Sequence, residues 1–321
     1  MAKSYPSRFN ASGIWKVKDA ADATALGWPH SGIDRAIMGG GDNDKTTMDY
    51  VTVSTTGDAA DFGDLHDPSS GHGSVSTVTR GVYCGTGGPS TNAMQYITNH
   101  TLGNSADFGN LTTKSTYGAG GSNNTRGVFA LGYNAPAVVN IIDYFTIATL
   151  GNTVDFGDLS SARYGLMGGE LCSPTRLLFM GGYSPSATNI IDFIEFASLG
   201  DAVDFGNLLA NGRDGGGFSS NTRACAIGGR SPATSNVIEY VTIPSHGDMA
   251  DFGDLVAAKL NYDGGSNSIR GLGMGGEDPS YSLTIDYVAI AIGGIAADFG
   301  DLSAARSNGA VISTGHGGLG F

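Results

Sequence analysis

The stretch Asp61-Phe62-Gly63-Asp64-Leu65, DFGDL, returns as DFGNL at Asp107 to Leu111, DFGDL at Asp155 to Leu159, DFGNL at Asp204 to Leu208, and DFGDL at Asp251 to Leu255 and Asp298 to Leu302. The step from one aspartate to the next is nearly constant along the chain. Its size, roughly 47 residues, belongs to stacked or circular repeats, each one supersecondary unit that cannot bury its apolar face alone. The letters Asp-Phe-Gly also hold magnesium in protein kinases. That chemistry requires a phosphate-covering glycine loop, a strand lysine and a catalytic-loop aspartate in order, and none of these is present. An active site occurs once, whereas a fold element repeats.

Working outward from DFGDL, an alternating segment precedes each copy: MDYVTV, MQYITN, IDYFTI, IDFIEF, IEYVTI and IDYVAI. A period of two places alternate side chains on opposite sheet faces, so each segment is a strand. The interval from its aromatic residue to the DFG phenylalanine is identical in every copy, from Tyr50 and Phe62 through to Tyr287 and Phe299. A glycine precedes each DFG aspartate at an equally fixed offset, at Gly57, Gly103, Gly151, Gly200, Gly247 and Gly294. Fixed spacing predicts a hairpin, because a one-residue slip would turn every core side chain outward.

Upstream again, an arginine opens a short apolar run that ends in glycines: RAIMGGG from Arg35, RGVYCGTGG from Arg80, RGVFALGY from Arg126, RLLFMGGY from Arg176, RACAIGGR from Arg223 and RGLGMGGE from Arg270. This is a buried strand followed by a turn that glycine permits. Between that arginine and the aromatic the interval drifts, shortest from Arg35 to Tyr50 and longest from Arg126 to Tyr144. The drift marks a loop free to vary, the kind of place where binding surfaces are carried. A further short strand is expected in ARYGLMGG from Ala162 and RDGGGFSS from Arg213, which makes four strands per unit. Four antiparallel strands in roughly 40 to 50 residues, repeated, predict the blade of a β-propeller.

The expected fold is therefore all-β, a six-bladed propeller over residues 34–321, with residues 1–33 set apart as an N-terminal arm. The two chain ends suggest how the ring closes. From Phe299 the chain runs on to Phe321, slightly farther than the stretch that separates each earlier phenylalanine from the next arginine, as Phe62 from Arg80 or Phe156 from Arg176. The leftover ARSNGAVISTGHGG is expected to pair beside RAIMGGG, hiding two sheet edges that would otherwise invite aggregation.

Composition agrees with this class. Glycine accounts for 52 of 321 residues and charged residues for 15%, which suits many short strands and tight turns and leaves little room for helix. A net charge of −13 argues against a nucleic-acid partner, whose binding draws on clustered Lys and Arg. Cys84, Cys172 and Cys225 are too few and too scattered for a disulfide framework or a zinc site. No apolar run of membrane-spanning length and no signal-type start occur in the chain, so neither membrane insertion nor a leader is expected.

The glycine pair after an apolar strand, the aromatic hairpin and the following Ala-Arg resemble the kelch repeat, whose family fold is a propeller. One point departs: the last-strand tryptophan of kelch blades is replaced here by the DFG phenylalanine. Stretches such as TRGVF…NIIDYFTIATLGNTVDFGDLSSARYG are similar to the kelch-like repeats of virion proteins of tailed phages, particularly those of marine and cyanobacterial hosts. The resemblance implies a structural or appendage protein of the particle, assembled in the host cytoplasm, with a propeller face for a host-surface glycan or protein. A cytoplasmic kelch-type interaction module and a propeller glycosidase are the alternatives. Homo-oligomerisation is compatible with an appendage.

Residues 1–33 hold both tryptophans, Trp15 and Trp28, and four of the 17 basic residues. SGIWKVKDAADATALGWP predicts a short helix capped by Ser12 and broken at Pro29, and the G-x-W…W-P form is similar to short segments of phage tail and virion proteins. Aromatic and basic residues are enriched at interface hot spots, so Trp15, Lys16, Lys18 and Trp28 are the expected docking residues toward other virion proteins. The alternative is a plug under the ring.

The repeated residues read as scaffold. Arg80, Arg126, Arg176, Arg223 and Arg270 are expected to hydrogen-bond loop or strand-end acceptors, with the DFG aspartates among the candidates, because a buried unpaired arginine is prohibitive. Phe62, Phe108, Phe156, Phe205, Phe252 and Phe299 are expected in the core, and the DFG glycine at a bulge or a tight approach between sheets. No cofactor is expected, and no metal: no D-x-D-x-D-G loop is present, and Gly41 to Asp44 is only a fragment of one. HDPSSGH from His66 reads as a solvated loop. No nucleophile motif with a base is discernible, so no catalytic residue is assigned and the chain is read as a non-enzyme.

Overall fold

The computed structural model describes residues 34–42, 45–85, 91–230 and 232–320. Trp15, Lys16, Lys18 and Trp28 lie outside the described residues, as does the helix expected around them.

The described chain is a six-bladed β-propeller with no α-helix among the described residues. Each blade runs from an inner strand near the axis to an outer strand at the rim. In blade 2 these are Gly73–Ser76, Arg80–Cys84, Thr91–Thr98 and Ala106–Ser115, all antiparallel. Blades 3, 5 and 6 repeat the order. In blade 1 the inner strand, Ala310–Ser313, comes from the far end of the sequence and lies antiparallel to Arg35–Gly39. That register buries Val311 and Ile312 completely.

Blade 4 departs from the four-strand expectation. Its sheet has three strands, Arg176–Met180, Thr188–Glu195 and Val203–Gly212, and the strand expected in ARYGLMGG does not form. Two tight three-residue turns replace it, Leu171 N–H to Gly169 O at 3.1 Å and Cys172 N–H to Glu170 O at 3.0 Å, which spend locally the backbone groups a ladder would use. Two isolated bridges, Tyr164 to Tyr183 and Cys172 to Leu177, remain.

The core lies between blades. Phe62, Met48 and Ile37 of blade 1 pack with Tyr83 and Ile97 of blade 2, and five further clusters join the remaining neighbours in the same way. Each DFG phenylalanine is the extra residue of a β-bulge: Met48 pairs with Gly63 and Asp49 with Asp61, so Phe62 is passed over. The bulge turns its ring into the gap between sheets, edge-on to Tyr50 at 6.1 Å.

The two faces differ in what they carry. One holds the hairpins before each DFG element and the arginines; we call it the clasp face. On it, Gly103 N–H donates to Phe62 O of the preceding blade (2.8 Å) and Ser105 N–H to Asp64 O (2.9 Å). The same pair of bonds recurs at all six interfaces, ending with Gly57 to Phe299 and Ala59 to Asp301. The opposite face carries the loops of drifting length and is called the loop face.

Candidate functional site

The repeated residues are spent on joining blades. Arg80 Nη1 donates to Ile147 O of the next blade (2.8 Å), Arg126 to Phe196 O, Arg176 to Ile243 O, Arg223 to Ile290 O and Arg270 to Val53 O. Each guanidinium also lies 4.4–5.0 Å over the aromatic ring of its own blade, and Arg35 does the same over Tyr50. The acceptors are backbone carbonyls at strand ends. The DFG aspartates, offered by the sequence as candidate partners, are exposed instead, because the bulge turns phenylalanine inward and leaves aspartate outward. Phe62, Phe108, Phe156, Phe205, Phe252 and Phe299 are all buried.

Two axial features lie apart from the repeated arginines and DFG elements. At the clasp-face end, Ser76 Oγ donates to Ser313 O (2.8 Å), Ser122 Oγ to Ser76 O, Ser219 Oγ to Glu170 O and Ser266 Oγ to Ser219 O (2.8 Å). Blade 4, without an inner strand, supplies Cys172, whose thiol faces Ser122 O at 3.4 Å. Its turns send the Glu170 side chain past blade 3 to Ser76, taking that residue's N–H and hydroxyl.

His316 closes this end. Its Nε2 is 2.9 Å from Ser76 O, an acceptor only, so Nε2 carries the proton; Nδ1 then accepts from Gly318 N–H and faces the Cys172 thiol. Cys172, His316 and Glu170 thus form a thiol, imidazole and carboxyl in sequence. Burial pushes the Cys172 thiol up, the Glu170 carboxyl up and the His316 imidazole down to about 4. The neutral forms are favoured and all three groups are sealed from solvent, so this arrangement is a polar plug with neither a thiolate nor an approach to it.

At the loop-face end a closed ring of backbone hydrogen bonds surrounds the axis. Tyr117 N–H donates to Gly71 O, Gly165 to Tyr117, Asp214 to Gly165, Asn261 to Asp214, Asn308 to Asn261 and Gly71 to Asn308, at 2.6–2.9 Å. All six residues are left-handed, with φ between 55° and 66°. Glycine, asparagine and aspartate suit that conformation; tyrosine does not. The mouth inside this ring encloses a cavity of about 50 Å³, room for a few water-sized species and too small for a sugar.

Around the mouth the backbone is constant and the side chains are not. In blades 3 to 6 the residue after the strand-end glycine bridges the residue before the left-handed position, Tyr133 with Thr116, Tyr183 with Tyr164, Arg230 with Arg213 and Glu277 with Leu260, and in blade 1 Asp42 N–H donates to Ser307 O. Blades 3 and 4 therefore show tyrosines, blade 5 arginines, and blades 6 and 1 carboxylates. The drift in loop length located these loops in the sequence. The pairs themselves were not legible, because a whole inner hairpin separates partners such as Thr116 and Tyr133, with only the flanking glycines as a signal.

His66 is exposed as expected for HDPSSGH, but His72 at the end of that stretch is buried, its ring edge-on to Tyr83. Among the described residues no group of three His, Cys, Asp or Glu is disposed to hold a metal, and no helix is long and apolar enough to cross a membrane. No family model matches the chain, and no curated protein matches it.

Proposed function

We propose that this chain is a non-catalytic binding ring carried on a phage particle, with the loop face turned toward a host-surface ligand. One observation supports the binding role above the others: a loop-face scaffold of equivalent bridges in blades 3 to 6 that carries tyrosine, arginine or carboxylate from sector to sector. Positions that served only the fold would repeat their side chains, as the arginines and DFG phenylalanines do. Loops on a rigid frame, diversified while the frame is held, are the usual site of recognition.

Residues 1–33 join the ring at Asp34, whose carbonyl accepts Val53 N–H on the clasp face. Docking through Trp15, Lys16, Lys18 and Trp28 would place other virion proteins on that side and leave the loop face free. The particle assignment rests on the DFG and Ile-Asp-Tyr repeat resemblance. Mass spectrometry of purified virions from infected cells tests it: the chain should be present in particles, and a variant lacking residues 1–33 should fold and stay out of them. Absence of the intact chain from particles would return the reading to an interaction module of the host cytoplasm.

A further inference from the structure

The loop face carries a contiguous aromatic row. Tyr164 lies 5.5 Å from Tyr133, 5.6 Å from Tyr183 and 6.2 Å from Tyr117, ring centre to ring centre, with the rings tilted against one another. All four are partly exposed, and none of their hydroxyls has a hydrogen-bond partner among the described residues. Tyr117 holds its place with φ 57°, a left-handed conformation that is strained for a bulky residue and that accompanies functional surfaces.

At the blade 5 end the row meets two cations. Arg213 lies 4.4 Å over the Tyr183 ring and 3.3 Å from Asp214, and Arg230 Nε lies 3.2 Å from the same carboxylate oxygen. That Nε is buried, and Asp214 is its ion-pair partner. Two guanidiniums thus share the Asp214 carboxylate, so the three groups together carry a formal excess of one positive charge. Between them and the row lies a cleft of about 230 Å³ lined by Tyr183, Pro185, Ser186, Arg213, Arg230 and Pro232.

We infer that Tyr133, Tyr164, Tyr183, Arg213 and Arg230 form a binding site for an anionic oligosaccharide, one whose sugar rings carry spaced carboxylates. This rests on the loop-face binding role proposed above and adds the residues and the ligand class. Ring faces with free hydroxyls match the apolar C–H faces and hydroxyls of sugars, and the step between rings is the scale of one sugar unit. A guanidinium fork recognises a carboxylate in its plane.

Charge decides against the denser polyanions. The chain carries 30 acidic and 17 basic residues, and a nucleic acid needs a continuous basic track to release its counterions. A formal excess of one positive charge suits one carboxylate per site. The carboxylate sector around Glu277 and Asp42, beside Tyr281, repels the same ligand and confines it to blades 3 to 5. An acidic peptide would be expected to seek an open strand edge or a deep apolar groove, and this row is neither.

The test is calorimetric titration of the full chain with an oligouronate, the neutral oligosaccharide of the same length, and a glutamate-rich peptide. Binding of the oligouronate, weaker binding of the neutral sugar and none of the peptide is expected. Arg213→Gln and Tyr183→Ala should each weaken oligouronate binding about tenfold or more in chains that urea unfolding shows to be folded at the titration temperature, whereas Tyr281→Ala should not change it. No oligouronate binding, equal binding of the peptide, or binding indifferent to both Arg213→Gln and Tyr183→Ala overturns the proposal. In each of those cases a loss of host-cell adsorption by particles carrying Tyr183→Ala would show that the face still binds and only the ligand class is wrong; unchanged adsorption would remove the face reading as well.

Discussion

Single residues here are held by contacts with the neighbouring blade more than by their own. Gly63 has φ +140°, and a Cβ on it would lie 2.5 Å from Gly103 O, while Gly103 itself has φ +148° with open space around it. Gly63→Ala should therefore cost the strain of a backbone region nearly confined to glycine plus the displacement of the next blade, and Gly103→Ala the strain alone, about 1–3 kcal/mol. Urea unfolding of both variants measures this; equal losses would show that the close approach contributes nothing. His72 makes a second case, in pH. Burial pushes its imidazole down to about 3, so below its ordinary value of 6.5 the unfolded chain takes up a proton that the folded chain refuses. Stability from this residue is thus full above 6.5 and falls as pH drops toward 3, by up to ~1.4 kcal/mol per pH unit. His316 acts in the same sense down to about 4, whereas Asp263, pushed up to about 7 by burial, stays protonated when folded and gains stability as pH falls from 7 toward its ordinary 3.8. His72→Leu isolates one contribution: its stability relative to the parent should rise steadily as pH falls from 6.5 to 4, and a constant difference would refute the assignment.

Between neighbouring blades, three interfaces carry a buried ion pair that runs from the segment after one DFG element to the third strand of the next blade: Arg163 to Asp192 at 2.9 Å, Arg306 to Asp49 at 2.5 Å and Lys259 to Asp286 at 3.0 Å. The other three use neutral donors on Gln95, Asp143 and Glu239, such as Thr112 N–H and Oγ on Asp143. Removing one member of a buried pair strands the other, so Arg163→Ala should cost about 3–5 kcal/mol, while Arg163→Met with Asp192→Leu should recover most of it; thermal and urea midpoints of the single and double variants decide. These elements also show what could be read in advance. Blades, hairpin register and the inward phenylalanines followed from fixed spacing, because a period and a constant interval are properties of the sequence itself. The arginines' strand-end acceptors were expected as a class, but not which ones, because a carbonyl carries no letter: the aspartate of DFG was the visible candidate, and the acceptor is the backbone of Ile147 or Val53. Blade 4 was misjudged for the opposite reason. GLMGGELCS looks like its counterparts, but where they form a strand Glu170 reaches Ser76 far away in sequence, a long-range contact absent from local pattern.

For the whole molecule the question is what makes a circle from a line. Blade 1 borrows Ala310–Ser313, and Asn308 completes the ring of backbone bonds around the axis; losing either leaves an open inner edge on Arg35–Gly39. A chain ending before Asn308 should lose its cooperative transition and associate through that edge, visible as early elution in size-exclusion chromatography. Ending the chain after Thr314 is a different experiment, since the borrowed strand, and Thr314 N–H on Arg35 O, remain. It removes His316 and the short 3-10 turn Gly317–Leu319, uncovering Cys172 from the side where Gly318 covers the sulfur. In the intact chain Cys84, Cys172 and Cys225 are all free and buried, so native labelling with a thiol reagent should add nothing. The shortened chain should remain a closed ring of lower unfolding midpoint and accept one label, at Cys172, where lost burial also lets the thiol pKa fall toward its ordinary value. A folded shortened chain that resists labelling would mean that the glycine-rich inner strands, and not the C-terminal plug, seal the axis, and that closure of the channel is a property of the six blades alone.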